Sequence, residues 1–322
     1  MKENWERSRP VQLLEMQELE WMLQSFMPGK KLEAFYLLGG GYSNTNYKLQ
    51  VETLGDPLVL RVSSEKLCKF ENSLHSRLQQ NLPVPEIYFS ESHGDRSFSF
   101  MEWRTGSQLK EVMYQGERNA VKQAAFSVGY WLSQIRKHTF TESGFLNENL
   151  DVCEPVKITP DTFLAFMEEF LIKGKTGLWI EKEMTAAVWD YARKNKHFLK
   201  DIDVEPALVH SDYNGLNILA SKNNEPCEVT AIIDWEFAFA GPVYVDIGNM
   251  LRYENFRYYA DFELAFIEGL EFGGIKLHKE WKRIAKLVDL IALCSLLNNQ
   301  HGGENRIKDI KQLISQTLKY EK

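Results

Sequence analysis

Two short apolar segments of the sequence each run directly into polar residues suited to phosphoryl transfer. The first is followed by His210 and Asp212, with Asn217 five residues further on, which gives the pattern H-x-D-x-x-x-x-N. The second is followed directly by Asp234. A carboxylate can accept the proton of a hydroxyl nucleophile, and an amide oxygen with a second carboxylate can hold Mg²⁺. The pattern predicts transfer of a phosphoryl group from ATP, with Asp212 as base and Asn217 and Asp234 as metal ligands.

A purely structural interpretation of these residues stays open. Asp212 and Asp234 can be acids that cap loops, and Asn217 can be a turn residue. The catalytic interpretation is favoured because both acids come directly after apolar strands, in one ordered pattern.

A glycine-rich segment lies where a nucleotide would need it. Gly39, Gly40 and Gly41 let backbone N–H groups approach phosphate oxygens, and Ser43 and Asn44 add side-chain donors. A hairpin uses three glycines just as readily, so this segment alone does not identify a phosphate site.

One cation interrupts the apolar strand of residues 58–62. An inward-facing Arg61 would fork two phosphate oxygens, whereas an outward-facing one would be an ordinary surface residue. Glu71, early in the next predicted helix, can pair with Arg61 or can be a solvated helix residue.

The elements that must position these residues form two regions. A β-rich region with about five mostly antiparallel strands extends to Trp103, and a mainly helical region follows. Thr159 and Pro160 predict a helix start, and Gly174 predicts the end of that helix. Helices are predicted over residues 13–26, 66–82, 120–135, 160–174, 183–198, 261–270, 279–297 and 305–318, and strands over 35–38, 47–51, 58–62, 87–89, 97–103, 207–209 and 229–233.

Composition and charge exclude several classes of protein. The 322 residues are 44% hydrophobic and 26% charged, as in ordinary globular proteins with two domains or lobes. The net charge of -7 opposes non-specific nucleic-acid binding. Residues 201–274 alone contain 14 acidic and 3 basic residues, a net of -11 that favours a cationic ligand.

Three features predict a cytoplasmic protein with no membrane segment. The N-terminal residues lack the apolar core of a signal peptide, and the longest apolar run, Leu287–Leu297, is too short to span a bilayer. Four scattered cysteines show no metal-ligand spacing, which fits buried thiols in a reducing compartment.

From the glycine segment to Asp246 the chain resembles the aminoglycoside phosphotransferase and choline kinase family, in the right order of motifs. The resemblance implies an α+β, protein-kinase-like bilobal fold. Residues 1–103 would form a small antiparallel nucleotide-binding lobe, and residues 104–322 a larger helical lobe for catalysis and substrate binding.

The same resemblance implies roles for further residues. Asp246 would brace the catalytic loop, and His210 would organise that loop rather than act as acid or base. The hinge between the lobes would include Met101 and Trp103, whose backbone groups would meet the purine edge of ATP, with GTP possible.

Two positions depart from the family pattern. Ser211 stands where the family usually has glycine, which loosens the match modestly. Arg61 stands where lysine is more common; because arginine keeps its charge and binds two oxygens, nucleotide binding should survive.

The acceptor is expected between the catalytic loop and the C-terminal helices, and acids or aromatic faces there would suit a cation. A solvated helix face explains the acids on the helix of residues 261–270 equally well. The acceptor candidates are Trp235, Glu236, Asn249, Arg252, Tyr253, Glu254, Asp261 and Glu263.

The predicted activity is therefore that of a kinase for a small, cationic hydroxyl compound, with an aminoglycoside antibiotic favoured. Choline, homoserine, fructosamine or a macrolide are alternative acceptors, and a nucleotide-binding protein with weak catalysis is an alternative class. A protein kinase is disfavoured because G-x-G-x-x-G, D-F-G and A-P-E are missing.

Overall fold

The computed structural model describes residues 1–2, 5–6, 11–39, 44–93, 96–221, 226–298 and 303–320. Its first region is a five-stranded antiparallel sheet in the order β1-β2-β3-β5-β4, with one helix before it and one within it. The elements are α1 (Met16–Phe26), β1 (Leu32–Leu38), β2 (Thr45–Val51), β3 (Leu58–Ser63), α2 (Glu65–Leu78), β4 (Ile87–His93) and β5 (Arg96–Glu102).

Alternation along the strands decides which side chains this sheet buries. In β2 every second residue is buried, from Thr45 to Val51, and the apolar ones join a core under α1. In β3, Leu60 and Val62 belong to the same core. Arg61 therefore points to the opposite face, where α2 lies.

The second region contains two small sheets. One has the order β11-β10-β6 and the other β8-β7-β12-β9. Their strands are β6 (Ser107–Gln108), β7 (Gly144–Leu146), β8 (Val152–Pro155), β9 (Ala207–Val209), β10 (Ile218–Ala220), β11 (Val229–Ile232) and β12 (Phe239–Gly241).

Helices make up most of the second region, and α10 contributes many of its fully buried leucines. Short π-helical and 3₁₀ segments at Glu169–Lys173 and Lys196–Leu199 extend two of the helices. The helices are α3 (Leu109–Gln115), α4 (Arg118–Ile135), α5 (Pro160–Glu168), α6 (Thr176–Trp179), α7 (Lys182–Asn195), α8 (Tyr244–Met250), α9 (Tyr259–Phe272), α10 (Trp281–Asn298) and α11 (Glu304–Leu318).

The contact between α4 and α9 depends on two glycines. A Cβ at Gly129 would lie 2.0 Å from the Phe266 carbonyl oxygen, and one at Gly269 would lie 2.1 Å from that of Phe126. The two backbones therefore approach more closely than any side chain would allow.

The predicted fold class is confirmed, and every predicted helix and strand is present with ends shifted by a few residues. Sequence patterns predicted β9 and β11 but missed α3, α6, α8 and the strands β6, β7, β8, β10 and β12, which are too short to show periodicity. The division of the chain at residue 103 stays a prediction. Among the described residues, no helix is long and apolar enough to cross a membrane. All four cysteines are free thiols, and only Cys153 is exposed.

Candidate active site

The loop from β9 to β10 carries the H-x-D-x-x-x-x-N pattern, and side chains of α8 form hydrogen bonds with its backbone. Asp246 accepts hydrogen bonds from the backbone N–H groups of His210 and Ser211, both at 2.9 Å. Asn249, one turn later on α8, donates through Nδ2 to the Ser211 carbonyl at 3.0 Å. Ser211 has a φ of 68°, in the region that glycine favours. Three hydrogen bonds from one helix thus fix a strained peptide beside Asp212.

His210 is fully buried inside this loop. Its Nε2 donates to the Ile233 carbonyl at 3.0 Å, and its Nδ1 accepts the Asp212 N–H at 3.3 Å. Burial lowers the pKa of His210, so the ring is neutral at pH 7. Through these contacts it connects the loop to the end of β11.

Asp212 has a mostly buried carboxylate. Asn214 donates to Oδ1 at 2.8 Å and Asn217 to Oδ2 at 2.7 Å. Lys2 donates to both oxygens, at 2.8 and 3.1 Å. Burial raises the pKa of Asp212, but Lys2 and weaker contributions from His210 and Arg252 outweigh it, so the net pKa lies below its usual value. Asp212 is therefore ionised at neutral pH.

Arg61 spans the space between the sheet and the loop after β11. Its Nη2 lies 2.7 Å from Asp234 Oδ1 and 2.8 Å from Glu71 Oε1. Burial lowers the pKa of Arg61, but the two carboxylates raise it by a larger amount. The net pKa therefore lies above its ordinary value. The inward interpretation of Arg61, and its pairing with Glu71, are what the structure shows.

Asp234 and Asn217 form an oxygen-donor pair that fits a hard cation. Asp234 has a φ of 67° and a carboxylate that is 28% exposed. Asn217 turns its Nδ2 to Asp212, which leaves its amide oxygen for a metal. Within the part of the chain described, no three His, Cys, Asp or Glu residues cluster as a metal cage. One carboxylate, one amide oxygen and a substrate's phosphates are a ligand set that Mg²⁺ accepts.

Glu236 connects this loop to the glycine-rich segment. Asn44 donates through Nδ2 to Glu236 Oε2 at 2.9 Å. Burial and the nearby Asp234 raise the pKa of Glu236 to about 7. Gly39 is exposed with open space around it. The predicted phosphate-binding residues Gly40, Gly41 and Ser43 lie outside the described residues.

The predicted hinge follows β5. Met101 is buried on that strand, and Trp103 is the first residue beyond it. Lys48 Nζ lies 4.2 Å from the Trp103 ring centroid, a cation–π contact that holds the indole against β2.

Three of the predicted acceptor residues have structural partners instead of an open surface. Trp235 is fully buried and donates through Nε1 to the Ile232 carbonyl at 3.1 Å. Asn249 is buried under Ser211. Arg252 forms a buried ion pair with Asp289, with Nη2 2.6 Å from Oδ1.

Three of the acidic acceptor candidates pair with basic residues on the helices, whereas Glu236 accepts a hydrogen bond from Asn44. Glu254 lies 2.6 Å from Lys286, and Glu263 pairs with Lys282. Asp261 forms a two-point contact with Arg118, where α9 meets α4. These pairs form a charged helix surface and do not converge on Asp212, because their partners lie on α4 and α10.

Sequence reasoning missed several residues around Asp212. Asn214 lies inside the motif, two residues after Asp212, so its position in the sequence could have identified it as a partner of Asp212. Tyr253, an acceptor candidate, donates to Asp309 at 2.6 Å and accepts the Lys2 N–H at 3.1 Å. No pattern links Lys2 or Asp309 to a loop so distant in sequence.

Comparisons with known proteins agree on the fold. The sequence model of the phosphotransferase enzyme family matches residues 35–287. No curated protein sequence matches significantly. The structure of the aminoglycoside phosphotransferase APH(4)-Ia is similar, with a TM-score of 0.70 and 15% identity over 94% of this chain and 97% of that one. A thermostable mutant of that enzyme, in ternary complex with AMP-PNP and hygromycin B, has a TM-score of 0.68 and 16% identity over 94% of this chain and 98% of that one. The GDP and kanamycin complex of APH(2'')-IIIa has a TM-score of 0.69 and 16% identity over 93% of this chain and 98% of that one.

Proposed function

Because the chain belongs to the phosphotransferase enzyme family, we propose that it transfers the γ-phosphate of ATP to a hydroxyl of a small, cationic molecule. One observation carries the proposal: Asn217 donates to Asp212, Arg61 donates to Asp234, and the N–H of Ile233, next to Asp234, donates to the Asn217 carbonyl, which brings the two pairs together. An ionised base, an oxygen-donor pair and a buried guanidinium are what phosphoryl transfer requires.

Asp212 acts as the base. Its carboxylate is held by Asn214 and Asn217 in one orientation, so it can align the acceptor hydroxyl for in-line attack. As the new O–P bond forms, Asp212 takes the hydroxyl proton and ADP leaves. Asp246 and His210 keep the loop in shape and do not themselves exchange protons with substrate.

Arg61 positions the nucleotide. Glu71 fixes the guanidinium from α2, and its remaining donors can fork two phosphate oxygens. Asn217 and Asp234 would hold Mg²⁺, which when bound neutralises charge on the phosphates. Gly39, Asn44 and the hinge at Met101 and Trp103 complete the nucleotide site.

The favoured acceptor is an aminoglycoside. The strongly acidic stretch of residues 201–274 would concentrate a polycation near Asp212. Two similar structures contain hygromycin B and kanamycin, at 16% identity to this chain. Choline, homoserine, fructosamine and macrolides remain the alternative acceptors.

The test measures Mg²⁺-dependent ADP release with ATP, and GDP release with GTP, across a panel of kanamycin, hygromycin B, a macrolide, choline and sugar amines. We expect one class to accelerate release, with an affinity that weakens as salt rises. Asp212→Asn should lower kcat by about 10²- to 10⁴-fold and leave the nucleotide Kd unchanged.

The matched control is Asp190→Asn, which alters an exposed aspartate on α7. It should behave as the wild type. Undiminished turnover in Asp212→Asn contradicts the mechanism. Nucleotide binding without turnover of any acceptor would instead support a kinase-fold binding protein.

A further inference from the structure

The carboxylate of Asp212 is contacted by Lys2, which lies 210 positions earlier in the chain. We name Met1, Lys2, Trp5 and Glu6 the N-terminal segment. We propose that this segment is an intramolecular ligand of the acceptor site, and that an acceptor must displace Lys2 from Asp212 before phosphoryl transfer. The inference rests on the proposed role of Asp212 as base.

The hydrogen bonds on Asp212 show why displacement is needed. A carboxylate offers about four acceptor positions on its two oxygens. Oδ1 accepts from Lys2 and Asn214, and Oδ2 accepts from Lys2 and Asn217. An acceptor hydroxyl can bond to Asp212 only where one of these donors withdraws.

Lys2 is the donor best able to withdraw. Asn214 and Asn217 also donate to the Asp212 backbone carbonyl, so both belong to the fold of the loop itself. Lys2 reaches Asp212 from 210 positions away in the sequence. Its departure leaves the loop's internal hydrogen bonds intact.

The segment is docked by more than the Lys2 ammonium. Met1 and Trp5 are 7% and 9% exposed and belong to the large hydrophobic core. Trp5 Nε1 donates to Asp309 at 2.9 Å, and the Lys2 N–H donates to Tyr253, which itself donates to Asp309. Docking therefore uses apolar burial, hydrogen bonds and charge together.

Lys2 also determines which kind of acceptor can displace it from Asp212. Removing its ammonium leaves Asp212 as a mostly buried carboxylate without its cationic partner, which is costly. An acceptor that brings its own cation beside the reacting hydroxyl restores that charge, whereas a neutral acceptor does not. Lys2 thereby selects for cationic acceptors and against water.

The first experiment tests the contact without any acceptor. Trace acetylation of the full chain, read by mass spectrometry, compares Lys2 with the exposed Lys31. Lys2 should be acetylated about tenfold more slowly than Lys31, because it reacts only in molecules whose N-terminal segment is undocked. The factor equals the ratio of the docked to the undocked population. Asp212→Asn should bring Lys2 close to the rate of Lys31. Equal rates for the two lysines in the wild type would overturn the proposal.

The second experiment tests the consequence with kanamycin and ATP. Lys2→Met keeps the aliphatic stem and removes the charge, and Lys2→Arg keeps the charge. Lys2→Met should lower the KM for kanamycin and raise acceptor-free ADP release, each about threefold to tenfold, with kcat within about twofold. Lys2→Arg should resemble the wild type.

A second variant loosens the segment away from the base. Trp5→Phe keeps an aromatic ring and removes the donor to Asp309, so it should lower the KM for kanamycin and raise the rate of Lys2 acetylation. A fall in kcat for Lys2→Met, with KM unchanged, would overturn the proposal and make Lys2 a catalytic group. If no variant turns over kanamycin or any other acceptor, the proposed function fails, and the acetylation rates alone decide whether the segment is docked on Asp212.

Discussion

Arg61 Nη2 lies 2.7 Å from Asp234 Oδ1, and this contact joins strand β3 to the loop that follows β11. The same Nη2 lies 2.8 Å from Glu71 on α2. One guanidinium thus lies between two carboxylates that would otherwise repel each other. A planar group with five donors can do this and still offer donors to a phosphate.

Replacing Arg61 should separate its structural and nucleotide-binding contributions. Arg61→Met leaves Glu71 and Asp234 without their shared cation, so the free energy of unfolding should fall by about 3 kcal/mol and the Kd for ATP should rise at least about tenfold. Arg61→Lys keeps the charge but meets one carboxylate at a time, so both effects should be smaller. Urea denaturation and titration calorimetry measure the two quantities. An unchanged denaturation midpoint in Arg61→Met would show that the pair adds no stability.

Asn249 should control turnover without touching substrate. Asn249→Leu replaces the amide that donates to the Ser211 carbonyl with an apolar side chain of similar size that cannot donate. Loss of that hydrogen bond, about 1 kcal/mol or slightly more, should lower kcat about tenfold as Asp212 shifts. The nucleotide Kd should stay within about twofold, because Arg61 and the hinge are untouched. An effect on Kd equal to that on kcat would mean that the whole cleft, not the loop, depends on Asn249.

The sequence predicted this site where local pattern and chemistry agree. Arg61 interrupts an apolar strand, which made it a candidate phosphate ligand but left its inward and outward orientations open. Glu71, early in the next predicted helix, was its candidate partner. Asn217 directly precedes β10 and Asp234 follows the end of β11, so their proximity follows from the antiparallel pairing of β10 with β11.

Other features of the site depend on backbone turns that pattern does not encode. Trp235 is next to Asp234 and was expected near the acceptor, but the left-handed φ of Asp234 turns the chain and buries the indole beside His210. Ser211 adopts a left-handed φ without being glycine because Asp246 and Asn249 hold it. Lys2 meets Asp212 through tertiary packing alone, which no local spacing predicts.

The close approach of α4 and α9 makes Gly129 sensitive to a single methyl group. Gly129→Ala should raise helix propensity by about 1 kcal/mol, yet its Cβ would overlap the Phe266 carbonyl. Because that obstacle is backbone, the helices must separate, and the variant should lose about 1–3 kcal/mol of unfolding free energy. Gly55→Ala is the matched control, since nothing lies within 4 Å of a Cβ there. If thermal unfolding shows equal Tm values for the two variants, the helices are not held at this distance by glycine.

His75 should make the protein less stable in mild acid. Its ring is 2% exposed, and Nδ1 donates to the Pro85 carbonyl at 2.8 Å. Burial lowers the pKa of His75 to about 4, against an ordinary value of 6.5. Between these values the unfolded chain binds a proton that the folded chain does not, so stability is complete above pH 6.5 and is lost as the pH falls toward 4. From pH 7 to pH 5 this one group should remove about 2 kcal/mol of unfolding free energy. His75→Asn keeps a side-chain donor for Pro85 but cannot titrate. Between pH 7 and pH 5, urea denaturation should therefore show a loss of unfolding free energy about 2 kcal/mol smaller in this variant than in the wild type. A variant that loses as much stability as the wild type would place the acid-sensitive group elsewhere.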